Sequence, residues 1–138
     1  MPELRDFEGN WQIARRIEDA RAGQVSHFEG HATFTPDGAG MAYHEVGRLS
    51  LPGATPMQAE RRYLWRAAPG GIAVLYEDER PFHLIRAGEV QPEDSHDCAP
   101  DRYHVRYDFR LWPDWQMIWQ VDGPRKSYLS LTKFHRPG

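Results

Sequence analysis

Apolar and polar residues alternate along most of this chain, and turn chemistry interrupts the alternation at short intervals. Trp11, Ile13 and Ile17 alternate with Gln12, Arg16 and Glu18 before Ala22-Gly23 turns the chain. Phe28, Ala32 and Phe34 share the next face, which stops at Pro36-Asp37-Gly38. Met41, Tyr43 and Leu49 mark a third strand, ended by Pro52-Gly53 and Pro56. Ala59, Tyr63 and Trp65 mark a fourth, ended by Pro69-Gly70-Gly71; Ile72, Val74 and Tyr76 follow, then Phe82 and Leu84. Further on come Tyr103, Val105, Tyr107 and Phe109, then Trp115, Met117, Trp119 and Val121. Asp122-Gly123-Pro124 turns into a last strand over residues 127–135.

The period of two predicts about nine short strands, with prolines in the connections, where the missing N–H costs no ladder bond. No run of ~10–12 residues shows a 3.6 period, so helix content is expected to be small. Many short strands with one apolar face predict a sandwich or an up-and-down barrel. Phe7-Glu8-Gly9-Asn10-Trp11 favours the antiparallel barrel: Gly9 lets the first strand bend and Trp11 plugs one end. Residues 87–101 carry no strand pattern and read as a long loop, of the kind that forms a lid or binding loop or stays disordered.

Strand parity also assigns an interior. The apolar parity faces inward, and it carries Arg15 between Ile13 and Ile17, Glu45 beside Tyr43, and Arg61 between Ala59 and Tyr63. Unpaired burial costs several kcal/mol per charge, so these groups require partners. One reading is an internal Arg–Glu network with ordered water. The other counts two cations against one anion and leaves positive charge for a carboxylate, phosphate or enolate. In that reading Arg15 and Arg61 neutralise charge, Glu45 orients them, and Tyr63, Tyr103, Tyr107 and Trp119 supply packing.

Composition narrows the classes. At 138 residues and 16.0 kDa the chain reads as one domain over 1–138. The net charge of −3 gives no bias toward nucleic acid or an anionic membrane. No apolar run reaches the ~18 residues of a transmembrane helix, and Met1-Pro2-Glu3-Leu4-Arg5 leads into no signal-peptide core. The lone Cys98 forms no internal disulfide and suits a reducing compartment, so the protein reads as cytoplasmic.

Candidate chemistry is sparse. His96-x-Cys98, with His83 and Asp101, has nitrogen, sulfur and oxygen donors, but not the spacing of a zinc knuckle or finger, so no metal and no cofactor is assigned. His83 or His96 at a barrel mouth near Tyr103 would suit proton transfer in a cofactor-free isomerase, cyclase or hydrolase. Arg125-Lys126 lies at a hairpin tip, either solvated or folded back over the Trp11 indole as a cation–π cap. Trp112-Pro113-Asp114-Trp115 reads as a tight aromatic-covered hairpin, and an exposed Trp112 would suit a homodimer interface. Gly38-x-Gly40 and Gly70-Gly71 read as hairpin turns, because neither leads into the helix a phosphate loop needs.

The opening Phe7-x-Gly9-x-Trp11 resembles the calycin superfamily of lipocalins and fatty-acid-binding proteins. Over nearly the whole chain the sequence is similar to a family of small bacterial lipocalin-like proteins. The residues carrying that likeness include Arg61-Arg62-Tyr63-Leu64-Trp65, Phe82-His83, His96-x-Cys98, Asp101-x-Tyr103-x-Val105-x-Tyr107-x-Phe109 and Gly123-Pro124-Arg125-Lys126. The resemblance implies a calycin-type barrel and brings no activity with it. It lacks the two-helix lid of fatty-acid-binding proteins, because only a short turn separates Ile17 from Val25. If anything covers the mouth, the 87–101 segment does. Three functions follow: a binder of a small, partly apolar or aromatic anion, the acid–base enzyme, or a filled barrel acting as a structural or interaction module. A cavity of ~300 Å³ or more would favour the first two.

Overall fold

In the computed structural model, which describes residues 2–138, a 3-10 helix (Leu4–Phe7) precedes ten antiparallel strands. These are β1 (Gly9–Asp19), β2 (Gln24–Pro36), β3 (Met41–Ser50), β4 (Met57–Ala68), β5 (Gly71–Tyr76), β6 (Pro81–Arg86), β7 (Glu93–Cys98), β8 (Asp101–Asp108), β9 (Trp115–Asp122) and β10 (Ser127–His135). They form one sheet in the order β6-β5-β4-β3-β2-β1-β10-β9-β8-β7. Each strand pairs with its sequence neighbour, and β1 also pairs with β10, which wraps the sheet into an up-and-down barrel.

The barrel is nearly closed. Its two edges, β6 and β7, meet through side chains in place of a ladder: the Leu84 N–H donates to Asp94 Oδ2 at 2.7 Å. Arg86 Nε donates to the Glu93 carbonyl at 3.4 Å. Among the described residues no helix is long and apolar enough to cross a membrane.

One end is sealed by aromatic packing. Phe7 lies within 5.1–5.9 Å, centre to centre, of Phe34, Trp65, Phe109, Trp112 and Trp115. Trp11 is fully buried there and its indole N–H donates to the Phe7 carbonyl at 2.9 Å. Gly9 makes the approach with φ of +106°, a conformation that L side chains avoid. The cation over Trp11 is Arg136, whose Cζ is 3.8 Å from the ring centre. Its guanidinium also donates to the carbonyls of Asn10 and Asp6 at 3.1 and 3.0 Å.

Four expectations are corrected. The 123–126 turn lies at the opposite end, so Arg125-Lys126 does not cap Trp11; Lys126 pairs with Asp101 at 3.4 Å. The 87–101 segment is not a structureless loop, because Glu93–Cys98 forms β7 against β8. That edge strand is polar on both faces, so backbone pairing holds it without an apolar signature. Nor does the segment cover the mouth. Its irregular part runs along the sealed end, where Val90 and Pro92 carbonyls accept from Phe109 and Tyr107 N–H groups.

The fourth correction concerns His83. From the sequence, His83 is expected at the barrel mouth, between the apolar Phe82 and Leu84. The β5–β6 register shifts between Val74 and Leu75, pairing Val74 with His83 and Leu75 with Pro81, so Phe82 is the extra residue of a bulge. A bulge reverses parity beyond it. Phe82, His83 and Ile85 are therefore all buried, and Leu84 is only half-buried.

Candidate functional site

β1 and β3 carry the interior charge. Arg15 and Glu45 are only 3% and 1% exposed, and the guanidinium meets the carboxylate through bonds of 2.6 and 2.9 Å. Arg15 Nε donates to Thr132 Oγ1 at 2.7 Å, and the Tyr43 hydroxyl donates to Glu45 Oε1. Burial works against both charges. The Glu45 contact outweighs it for Arg15, holding the guanidinium above its ordinary pKa. The Arg15 contact, with the more distant Arg61 charge, pulls Glu45 below the ordinary carboxylate value. This pair is thus internally matched, as the network reading anticipated.

Arg61 is directly across from Glu45 in the β3–β4 register, yet it forms no ion pair among the described residues. Its Cζ lies 5.1 Å from the Trp119 ring centre, a cation–π contact at the neck of the barrel. Tyr63, half-buried on β4, packs against Phe82 at 5.9 Å and Trp119 at 6.2 Å. Outside this neck runs an open groove of about 490 Å³ lined by Arg61, Arg62, Tyr63, Tyr76, Glu77, Asp78 and Arg80. Arg80 is matched by Asp78 at 2.6 Å. Arg61 thus stands beside the Arg15–Glu45 pair and outside its ion pairing.

Below the neck the barrel is almost full. The cavity among Glu45, Arg61, Tyr63, His83, Trp115 and Trp119 offers about 10 Å³ to the centre of a water molecule. That is room for roughly one water, far short of the open cavity expected of a preformed binding site. Three buried ring nitrogens on its lining residues have no hydrogen-bond partner in the protein: His83 Nδ1, Trp115 Nε1 and Trp119 Nε1. The signal for them was present as inward Trp parity on β9, but strand patterns do not say which way an indole turns.

The proposed acid–base residues are brought together only loosely. Phe82 contacts His83, His96 and Tyr103 at 4.5, 5.5 and 5.5 Å between ring centres. His83 instead bonds Tyr107, with 2.8 Å between Nε2 and the hydroxyl. Burial lowers its pKa to about 3 against the opposing effect of Asp94, so the imidazole is neutral at pH 7. His96 and Tyr103 sit near the mouth, where the Tyr103 and Tyr128 hydroxyls lie side by side. Cys98 is exposed, and among the described residues no group of three His, Cys, Asp or Glu side chains is arranged to hold a metal.

An antiparallel, nearly closed barrel with an aromatic plug at one end and an inward Arg–Glu pair is of calycin type. The chain belongs to the family described as "Family of unknown function (DUF6314)", whose model matches residues 7–136. Among solved structures it is similar to the S-type phycobiliprotein lyase CPES from Guillardia theta, with a TM-score of 0.67 and 10% identity. That match covers 98% of this chain and 90% of the lyase. No curated protein matches the sequence.

Proposed function

We propose that the barrel binds a small, partly apolar or aromatic anion at its open end, with Arg61 as the charge anchor. One observation carries this reading. Arg61 is the guanidinium left unmatched beside a buried, matched Arg15–Glu45 pair, and it stands over an aromatic face. A carboxylate or similar oxyanion would complete its pairing. Tyr63, Tyr76 and Trp119 would pack on the apolar part, and the groove outside the neck would take the remainder. Fold likeness to a phycobiliprotein lyase is compatible with small-molecule binding in such a barrel. Arg15, Glu45 and Tyr107 serve this site from behind, by fixing the wall on which Arg61 and Trp119 stand.

The test is titration with 2-naphthoate, an aromatic carboxylate, followed by tryptophan fluorescence and calorimetry. Binding that weakens about tenfold or more in Arg61→Gln, with unchanged stability, supports the anchor. Equal affinity in the variant overturns it. The nearly filled core favours a second reading, in which the barrel is a structural module acting through its outer face. Native mass spectrometry separates the two: a small-molecule adduct lost on denaturation supports the binder, and a second copy or protein partner supports the module.

A further inference from the structure

The orphaned nitrogens of the core cavity carry a chemical signature. The Tyr107 hydroxyl is buried and its partner is His83 Nε2. Were Nε2 protonated, it would donate to the tyrosine oxygen, and the buried hydroxyl hydrogen would be left without an acceptor. With the hydroxyl donating to Nε2, the imidazole hydrogen sits on Nδ1, where it in turn has no acceptor. Either arrangement leaves the pair with one buried donor hydrogen unmade, at a cost of roughly 1–3 kcal/mol, and both residues line the cavity. That hydrogen, on His83 Nδ1 or on the Tyr107 hydroxyl, joins the indole N–H groups of Trp115 and Trp119 as a third buried donor without an acceptor among the described residues.

The acceptors nearby are already engaged. Both Glu45 oxygens receive Arg15, and one also receives Tyr43. The same cavity is walled by Arg61, a fourth group that only donates. We infer that this cavity is a donor-lined subsite for a hydrogen-bond-accepting oxygen, such as the carbonyl of a planar conjugated anion. Its size matches one inserted oxygen rather than a whole ring, so the ring would remain at the neck on Trp119 and Tyr63. Because His83 and the indoles are neutral, the inserted group needs no charge of its own. The ligand class is therefore a planar monoanion that bears a carbonyl beside its charged oxygen. This inference rests on the Arg61 reading and adds to it the requirement for a second acceptor.

The experiment compares two probes on the intact protein. 2-Hydroxy-1,4-naphthoquinone is a planar anion at neutral pH with additional ring carbonyls; 2-naphthoate has similar apolar area and a single carboxylate. The expected result is at least tenfold tighter binding of the hydroxyquinone, with the Trp115 and Trp119 indole ¹⁵N–H resonances moving with it and not with naphthoate. Trp119→Phe is expected to weaken hydroxyquinone binding by a larger factor than naphthoate binding, because both probes lose ring packing and only the hydroxyquinone loses the indole donor. Equal affinity for the two probes, or tight hydroxyquinone binding with unmoved indole signals, each overturns the subsite. Equal, Arg61-dependent affinity overturns it while leaving the anion anchor standing. Failure of both probes to bind removes both readings.

Discussion

Arg15 and Glu45 face each other inside the barrel from strands β1 and β3, joined by two hydrogen bonds of 2.6 and 2.9 Å and closed to water. Neither residue touches the open end. Their position makes them a structural brace across the β1–β2–β3 wall, and in the proposed anion site the charge anchor is Arg61.

The brace has an asymmetric cost when broken. Glu45→Gln strands a buried guanidinium and is expected to lower stability by roughly 3–5 kcal/mol, as is usual when one member of a buried pair is removed. Replacing both, as Arg15→Met with Glu45→Leu, should lose far less than the sum of the single changes. Urea unfolding of the four members of this cycle measures the difference; additive losses would contradict the pairing.

Acid should unfold the protein from two directions. His83 has its folded pKa lowered from 6.5 to about 3, so the unfolded chain binds the extra proton between those values. Stability therefore falls as pH drops from about 6.5 toward 3, by roughly 5 kcal/mol at the lower end. Glu45, held below its ordinary 4.5, adds a loss as pH falls through that value and below. The groups near His83 that shape its part are Asp94, His96 and Tyr107. Denaturation midpoints of the parent and His83→Gln between pH 7 and 4 provide the check. A variant retaining the parent's slope above pH 5 would remove His83 from this account.

The sealed end should be the more fragile of the two. Arg136→Met removes the cation from Trp11 together with its bonds to Asp6 and Asn10, an expected loss of about 2 kcal/mol. Lys126→Ala breaks a half-exposed pair with Asp101 and should change stability by less than about 1 kcal/mol. Thermal denaturation followed by tryptophan fluorescence tests the contrast, which fails if Lys126 proves the costlier loss.

Gly9→Ala should also destabilise, by roughly 1–3 kcal/mol. The cause is backbone conformation rather than crowding. At φ of +106° an alanine is strained, whereas its Cβ would meet only the end of the flexible Arg136 side chain, at 3.1 Å. Calorimetry of the variant, alone and with Arg136→Met, separates these terms: a loss that vanishes in the Arg136 background would point to crowding.

Unbroken alternation made much of this readable in advance. From Trp11 through Trp65 no bulge interrupts the pairing of β1 to β4, and inward Arg15, Glu45 and Arg61 follow directly from parity. The Gly9–Trp11 plug was legible for the same local reason. The single extra residue at Phe82 was not, and it was enough to turn His83 from a mouth residue into a buried one. β7 was hidden because its stability lies in backbone pairing to β8, which leaves no apolar period. Arg136 over Trp11 joins residues at opposite ends of the chain, a contact set by the closing β1–β10 ladder rather than by local sequence.

The β6–β7 junction makes the barrel a split ring. Nine ladders resist stretching around the circumference, while the cut is held by Asp94 on the Leu84 amide and the longer Arg86–Glu93 contact. Such a ring changes girth at its cut, as a cuff does, without loosening the rest of the band. Any widening is thus concentrated beside His83 and His96, and the stiffness of that one clasp sets how far the interior can open.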